Sequence, residues 1–237
     1  MARVRLFIDG TLSGHEAVTL DRDRSHYLLN VMRLGLGDPV EVFDGRTGAY
    51  AARLIEANRK AAVLGVDAMT APLRMPPDLW LLFAPIKKVR TDFIVEKAAE
   101  LGVRRIVPVR TAFTNSERVR ADRLRAHAVE AAEQCGGTFV PEVAELTALP
   151  AALDGWDPAR ALVFCDEALA GTQGGWDAVP PGPTAILIGP EGGFAAEERQ
   201  RIAAMAHPVS LGPRILRADT AAAAALTLWQ ARFGDWR

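Results

Sequence analysis

Ile186-Leu-Ile-Gly-Pro-Glu-Gly-Gly-Phe194 reads as a buried strand that breaks into a glycine loop. The apolar run is short and stops abruptly at Gly189-Pro190, as a strand end does. Gly189, Gly192 and Gly193 permit backbone angles closed to residues with a Cβ and let a ligand approach the main chain. From Ala195 to Ala206 the composition predicts a helix, with Glu197 and Glu198 early, where a helix N-terminus favours negative charge. Strand, glycine loop and helix make one step of an α/β sheet, and ligands collect at the loop ends of such strands. The plainer reading of the same residues is a tight turn.

The stretch Val209-Ser-Leu-Gly-Pro-Arg-Ile-Leu-Arg-Ala-Asp-Thr220 repeats the design. A brief apolar segment meets Gly-Pro, an irregular loop follows, and an alanine-rich helix is expected from Ala221 to about Arg232. Asp219 or Thr220 is the expected cap. Two such breaks place two irregular loops at one sheet edge.

Upstream, strands and helices alternate. Leu79 to Ala84 reads as a strand, Lys88 to Leu101 as a helix ended by Gly102, and Arg105 to Val109 as a strand. Arg118 to Gln134 reads as a helix stopped by Gly136-Gly137, and Ala161 to Cys165 as a strand. This alternation predicts a mostly parallel α/β sheet. Met69 to Asp78 holds three prolines and no periodicity, and is expected to be a linker. The expected domains are therefore residues 1–70 and 71–237. The first reads as short strands, Val4 to Ile8, Val40 to Phe43, Tyr50 to Ile55 and Ala61 to Val66, with a turn at Asp44-Gly45. One helix is expected from Ser25 as N-cap through Arg33, stopped by Gly35 and Gly37. Together these predict a small β-barrel.

The 237 residues suffice for one large or two ordinary domains, and 49% hydrophobic content supports a real core. Two cysteines, Cys135 and Cys165, offer no disulfide framework, which points to a reducing, cytoplasmic setting. No apolar segment approaches the roughly 20 residues that span a membrane, and the N-terminal apolar run is too short for a signal peptide. The net charge of −1 hides an asymmetry: Ile86 to Arg125 carries eleven Lys or Arg against five acids, whereas Phe139 to Glu198 carries one Arg against ten acids. A local positive patch is the expectation, with paired helix-surface charges as the plainer alternative. Other cofactor signatures are missing: Gly35-Leu-Gly37 lacks a third glycine, no phosphate-loop Gly-Lys-Ser/Thr occurs, and His15, His26, His127 and His207 have no metal-ligand spacing.

The two Gly-Pro stretches, Ile188 to Phe194 and Leu211 to Ala221, resemble the signature motifs of the RsmE family, bacterial 16S rRNA uracil-N3 methyltransferases of the SPOUT superfamily. His26 to Arg33, Lys88 to Gly102 and Ala131 to Gly137 match in the family's order over nearly the whole chain. One departure stands out: Ala218-Asp219 follows Arg217, where the family usually has Thr-Glu, so the acid is shorter by a methylene. The resemblance implies a PUA-like RNA-binding β-barrel, then a SPOUT α/β domain with a C-terminal trefoil knot. It also implies a homodimer and 16S rRNA, within the 30S subunit, as partner.

The cofactor implied is S-adenosylmethionine. Its candidate contacts are Leu187, Ile188, Gly189, Pro190, Glu191, Gly192 and Gly193 from the first loop. Leu211, Gly212, Ile215, Leu216, Arg217 and Ala218 are those from the second. A sulfonium methyl donor needs no metal; the enzyme must align the acceptor nitrogen and manage its proton. Transfer to uracil N3 is helped by positive charge near the uracil anion, a role given to Arg217, which stays protonated and is not a base. Asp219 and Glu191 are the acids nearest the loops, and either can take the proton; the plainer readings are an N-cap and a helix-dipole partner. The N3 atom lies on the pairing edge, so the base must be unpaired or flipped out. RNA would be held by phosphate contacts and shape. Candidates are Arg3, Arg5, Arg24, His26 and Arg33 in the first domain and Lys87, Lys88, Arg90 and Arg118 in the second. A non-catalytic RNA-binding assembly factor, or a SPOUT enzyme methylating another RNA atom, is the alternative.

Overall fold

A computed structural model describes residues 4–115, 119–172 and 174–236. Contacts divide the chain into two units, Met1–Met75 with Ala132–Val140, and Pro76–Ala131 with Pro141–Arg237. Arg3 and Arg118 lie outside the described residues.

The first unit is built on a five-stranded sheet in the order β1-β3-β4-β5-β2. The strands are β1 (Arg5–Phe7), β2 (Glu16–Thr19), β3 (Pro39–Phe43), β4 (Gly48–Glu56) and β5 (Val63–Pro72). Alternate residues, Val40 and Val42, Tyr50, Ala52 and Leu54, Leu64 and Val66, point into one core with Leu6, Ile8 and Leu28. That is the period-2 pattern of strands with one buried face. Strand β2 escapes sequence reading because it carries no buried residue. Strand β5 runs on through Met69 to Pro72, the first four residues expected to be linker.

The helix in this unit also departs from expectation. Asp21, not Ser25, is the cap of α1 (Arg22–His26), accepting a hydrogen bond from Arg24 N. Ser25 is buried inside the helix, where its hydroxyl donates to Asp21 O at 2.6 Å and accepts from Ala62 N at 2.9 Å. Helix α1 passes into a π-helical turn, Tyr27–Val31. The turn is ended by Arg33 in the left-handed region at φ 58°, before either glycine.

The second unit holds a seven-stranded parallel sheet. Strand β6 (Leu79–Phe83) leads to α2 (Lys88–Glu100), and β7 (Arg105–Arg110) to α3 (Ala121–Cys135). Short strands β8 (Glu142–Val143) and β9 (Thr147–Ala148) both pair with β7, and α4 (Leu149–Leu153) follows. Next come β10 (Ala161–Cys165), β11 (Thr184–Ile188), α5 (Ala196–Ala203), β12 (Ala206–Val209) and α6 (Ala218–Phe233). The order is β12-β10-β11-β6-β7-β8. All five residues of β11 are buried between β10 and β6, as a parallel strand covered on both faces requires. Helix α6 starts at Ala218 with Arg217 as its cap residue, not at Asp219 or Thr220. Its alanines Ala221, Ala222 and Ala225 are buried, and it packs on α2 and β11.

Candidate active site

Because β10, β11 and β12 are parallel neighbours, their C-terminal ends open on one edge of the sheet. A cavity of about 250 Å³ lies there. Phe164, Cys165 and Asp166 form one wall, Ile188, Gly189, Pro190 and Glu191 a second, and Leu211, Gly212 and Arg214 to Ala218 a third. The two Gly-Pro loops thus meet, as their spacing predicts. Of the cofactor-contact candidates, Leu187, buried in β11, and Gly192 and Gly193, in the turn after it, are not among the lining residues.

Each loop has a local cause. After β11 the chain turns through a hydrogen bond from Gly193 N to Pro190 O at 2.9 Å, with Gly193 at φ 69°. A Cβ on Gly189 would meet the Phe194 ring at 2.6 Å, and one on Gly193 would meet Glu167 Oε1 at 2.7 Å. Glu198 accepts from Ala195 N at 3.0 Å and from Ala112 N at 2.8 Å, so it closes the N-terminus of α5. The second loop is tied to the segment after β10. Gly171 N donates to Gly212 O at 3.1 Å, Ser210 Oγ to Leu169 O at 3.0 Å, and Trp176 Nε1 to Ser210 O at 3.2 Å.

The first wall, at the end of β10, was not singled out from sequence. Its strand was legible, but nothing in the residues after Cys165 marks a ligand loop; only the pairing of β10 between β11 and β12 brings it here. Arg199, from α5, donates to both oxygens of Asp166, at 2.7 Å to Oδ2. Burial pushes the Cys165 thiol well above its usual range, so at neutral pH it is an uncharged packing group.

The charged candidates separate clearly. Arg217 lines the cavity, is exposed, and makes no side-chain hydrogen bond or ion pair among the described residues. Glu191 lines the cavity, and Asp219 sits in the first turn of α6, its Oδ1 accepting from Thr220 N at 3.0 Å. Arg90, placed by sequence among phosphate contacts, lies between these two acids: Nη1 is 3.6 Å from Glu191 and Nε 3.8 Å from Asp219. Lys87, Lys88, His26 and Arg33 are exposed. Arg24 pairs with Asp9 at 2.8 Å and Asp21 at 3.0 Å.

Arg5 requires correction as an RNA contact. Its guanidinium donates to Glu41 at 2.8 Å, Ala132 O at 3.0 Å and Gly137 O at 2.9 Å, and lies over the Phe43 ring. Those donors are spent on the fold. Among the described residues no group of three metal-ligating side chains occurs, and no helix is long and apolar enough to cross a membrane.

Residues 74–230 match a family model described as an RNA methyltransferase domain, and residues 20–67 one described as an RNA methyltransferase PUA domain. A relative from Buchnera aphidicola (Schizaphis graminum), ribosomal RNA small subunit methyltransferase E, is 26% identical, over 98% of this chain and 97% of its own. A Neisseria gonorrhoeae ribosomal RNA small subunit methyltransferase E bound to S-adenosyl methionine superposes with TM-score 0.88 at 29% identity, covering 99% of this chain and 100% of that one. A Legionella pneumophila protein solved with the bound cofactor SAM superposes at 0.90 with 26% identity, over 99% of this chain and all of that one.

Proposed function

This chain belongs to the RsmE family of RNA methyltransferases, and from that premise we propose that it transfers a methyl group from S-adenosylmethionine to N3 of a uridine in 16S rRNA. The observation that carries this reading is the convergence of both Gly-Pro loops and the end of β10 on one cavity. The residues there suit the cofactor. Ile188, Leu211, Leu216 and Ala221 offer an apolar wall for an adenine, and Gly189 and Gly212 bring bare backbone to the cavity. Ala218 starts α6 and lines the cavity, so its N–H, which needs no partner within the helix, can meet an acceptor at that mouth, whereas Thr220 N donates to Asp219 Oδ1.

When bound, S-adenosylmethionine supplies an electrophilic methyl group. The chain's own part is to hold the base in line, stabilise the anion formed as N3 loses its proton, and accept that proton. We give the anion to Arg217, whose guanidinium has no partner among the described residues, and the proton to Asp219 or Glu191. Residues 1–70 serve as the RNA-binding PUA-like module and 71–237 as the methyltransferase domain, with a knotted C-terminal region. His26, Arg33, Lys87 and Lys88 contact phosphates. The enzyme works in the cytoplasm on the 30S subunit as a homodimer, which light scattering at micromolar concentration reads as twice 25.6 kDa.

The test is calorimetric titration of S-adenosylmethionine into wild type and Gly212→Val, followed by nucleoside mass spectrometry of 30S rRNA. Gly212 sits at φ 113° in open space, so valine must rearrange the loop. A strain of about 1–3 kcal/mol predicts affinity weaker by roughly tenfold or more. The expected product is 3-methyluridine. A ribose methyl instead assigns a different SPOUT activity. No cofactor binding with or without 30S subunits leaves an RNA-binding assembly factor.

A further inference from the structure

Arg90 stands in the first turn of α2, an element to which neither loop belongs. It nevertheless faces one acid from each: Glu191 at 3.6 Å from Nη1 and Asp219 at 3.8 Å from Nε. Both separations are ion-pair contacts just beyond hydrogen-bond length. Glu191 follows β11, and Asp219 lies in the first turn of α6. One guanidinium therefore spans the two segments whose separation sets the mouth of the cavity. Its side chain is only 26% exposed, and Nη1 is enclosed without a hydrogen bond among the described residues. With two carboxylates beside it, Arg90 has little charge left for a phosphate.

Arginine suits this place because its fork is rigid and permanently charged, and presents Nε and Nη1 in different directions. A lysine offers a point charge and satisfies one acid at a time. We infer that Arg90 is a positioning residue for methyl transfer: it fixes where the Glu191 and Asp219 carboxylates stand relative to the acceptor base, so that the two acids act as one unit. The inference rests on the methyltransferase reading of this site. It also explains how Asp219, a methylene shorter than the family's usual acid, is held in a defined place.

The experiment compares wild type with Arg90→Ala, Arg90→Met, which keeps an apolar stem, and Arg90→Lys. Steady-state methylation of 30S subunits is measured beside calorimetric S-adenosylmethionine affinity and thermal melting. Displacing catalytic groups by about 1 Å is enough to cost roughly 100-fold, so the Ala and Met variants are expected to lose kcat by about that factor. Cofactor affinity and melting temperature should stay near wild type, and Lys should recover part of kcat. In double variants, Arg90→Ala should add little to the loss already caused by Asp219→Asn, because groups acting as a unit are not additive. Unchanged kcat overturns the inference. So does a raised KM for 30S subunits at unchanged kcat, which would make Arg90 a phosphate contact. A fall in cofactor affinity or melting that parallels activity in both Ala and Met variants would reduce it to a structural residue. Wild type that methylates no base in 30S subunits defeats the proposed function itself, and the inference with it.

Discussion

The carboxylate of Asp44 accepts hydrogen bonds from Leu12 N at 2.9 Å, from Arg46 N and Thr47 N at 2.8 Å, and from the Thr47 hydroxyl at 2.7 Å. Burial alone would raise its pKa, but these donors outweigh burial and hold it at about 2. The folded value is depressed, so this stabilisation is complete above the unfolded value of 3.8 and disappears as pH falls towards 2. Asn at this position turns an N–H₂ towards Leu12 N–H and the Thr47 hydroxyl. Asp44→Asn is therefore expected to cost about 1–3 kcal/mol at pH 7 in urea unfolding. The gap from wild type should close between about pH 4 and pH 2; a gap that stays constant over that range would show that charge is not involved. Asp44-Gly45 was legible as a turn because both residues are turn formers. That the carboxylate also binds Leu12, 32 positions away, is a tertiary fact without local signal. The site repeats the lesson. Arg217 and Glu191 were readable beside their glycines, whereas Arg90 read as a phosphate contact, because its two acidic partners lie more than 100 residues further on.

Elements of the sheet were legible where their periodicity was strong. Strands β6 and β10 are apolar throughout and β11 is apolar after Thr184, and buried parallel strands leave that signature. The ends of helices were harder, because caps compete. Asp21 prevails over Ser25 since its side chain reaches Arg24 N, while the Ser25 hydroxyl is drawn to Asp21 O and to Ala62 N, just before β5. The π-helical turn Tyr27–Val31 and the left-handed Arg33 behind it were invisible for the same reason. A bulky residue at φ 58° costs about 1–2 kcal/mol, and such strain is kept where it serves a site. Glycine relieves the strain but loses more entropy on folding, by about 0.5–1 kcal/mol. Arg33→Gly is therefore expected to stabilise the protein by about 0.5–1 kcal/mol in urea unfolding while weakening rRNA binding in a filter assay. Stabilisation with undiminished RNA affinity would remove Arg33 from the RNA contacts. Destabilisation would make its side chain part of the fold.

At the scale of the whole molecule, the proline-rich stretch before Leu79 suggests a simple cut; one boundary does fall there, between Met75 and Pro76, but it is not the whole division. Residues 132–140 group with residues 1–75, and they do so through hydrogen bonds. Arg5 donates to Ala132 O and Gly137 O, Phe7 N to Glu133 Oε1 at 2.8 Å, and Arg74 N to Thr138 Oγ1 at 2.9 Å. Composition could not reveal this return, because a loop after Gly136-Gly137 looks like a helix stop wherever it lies in space. The energetics set its weight. Three charge-assisted bonds at about 1.5–3 kcal/mol each, and one ordinary one at about 1 kcal/mol, total about 5–10 kcal/mol. A unit of this size holds only about 4–13 kcal/mol of net stability, at roughly 0.05–0.15 kcal/mol per residue. A fragment ending at Met75 therefore lacks most of its margin, and its Arg5 guanidinium has lost its carbonyl partners. Expressed alone, it should melt far below the full chain or show no cooperative transition by circular dichroism. Supplying residues 121–140 as a separate peptide should raise the midpoint in a concentration-dependent way, since anything that binds only the folded form stabilises it. A fragment that melted like the full chain, unmoved by the peptide, would mean that the first unit is self-sufficient and that residues 132–140 only rest on it.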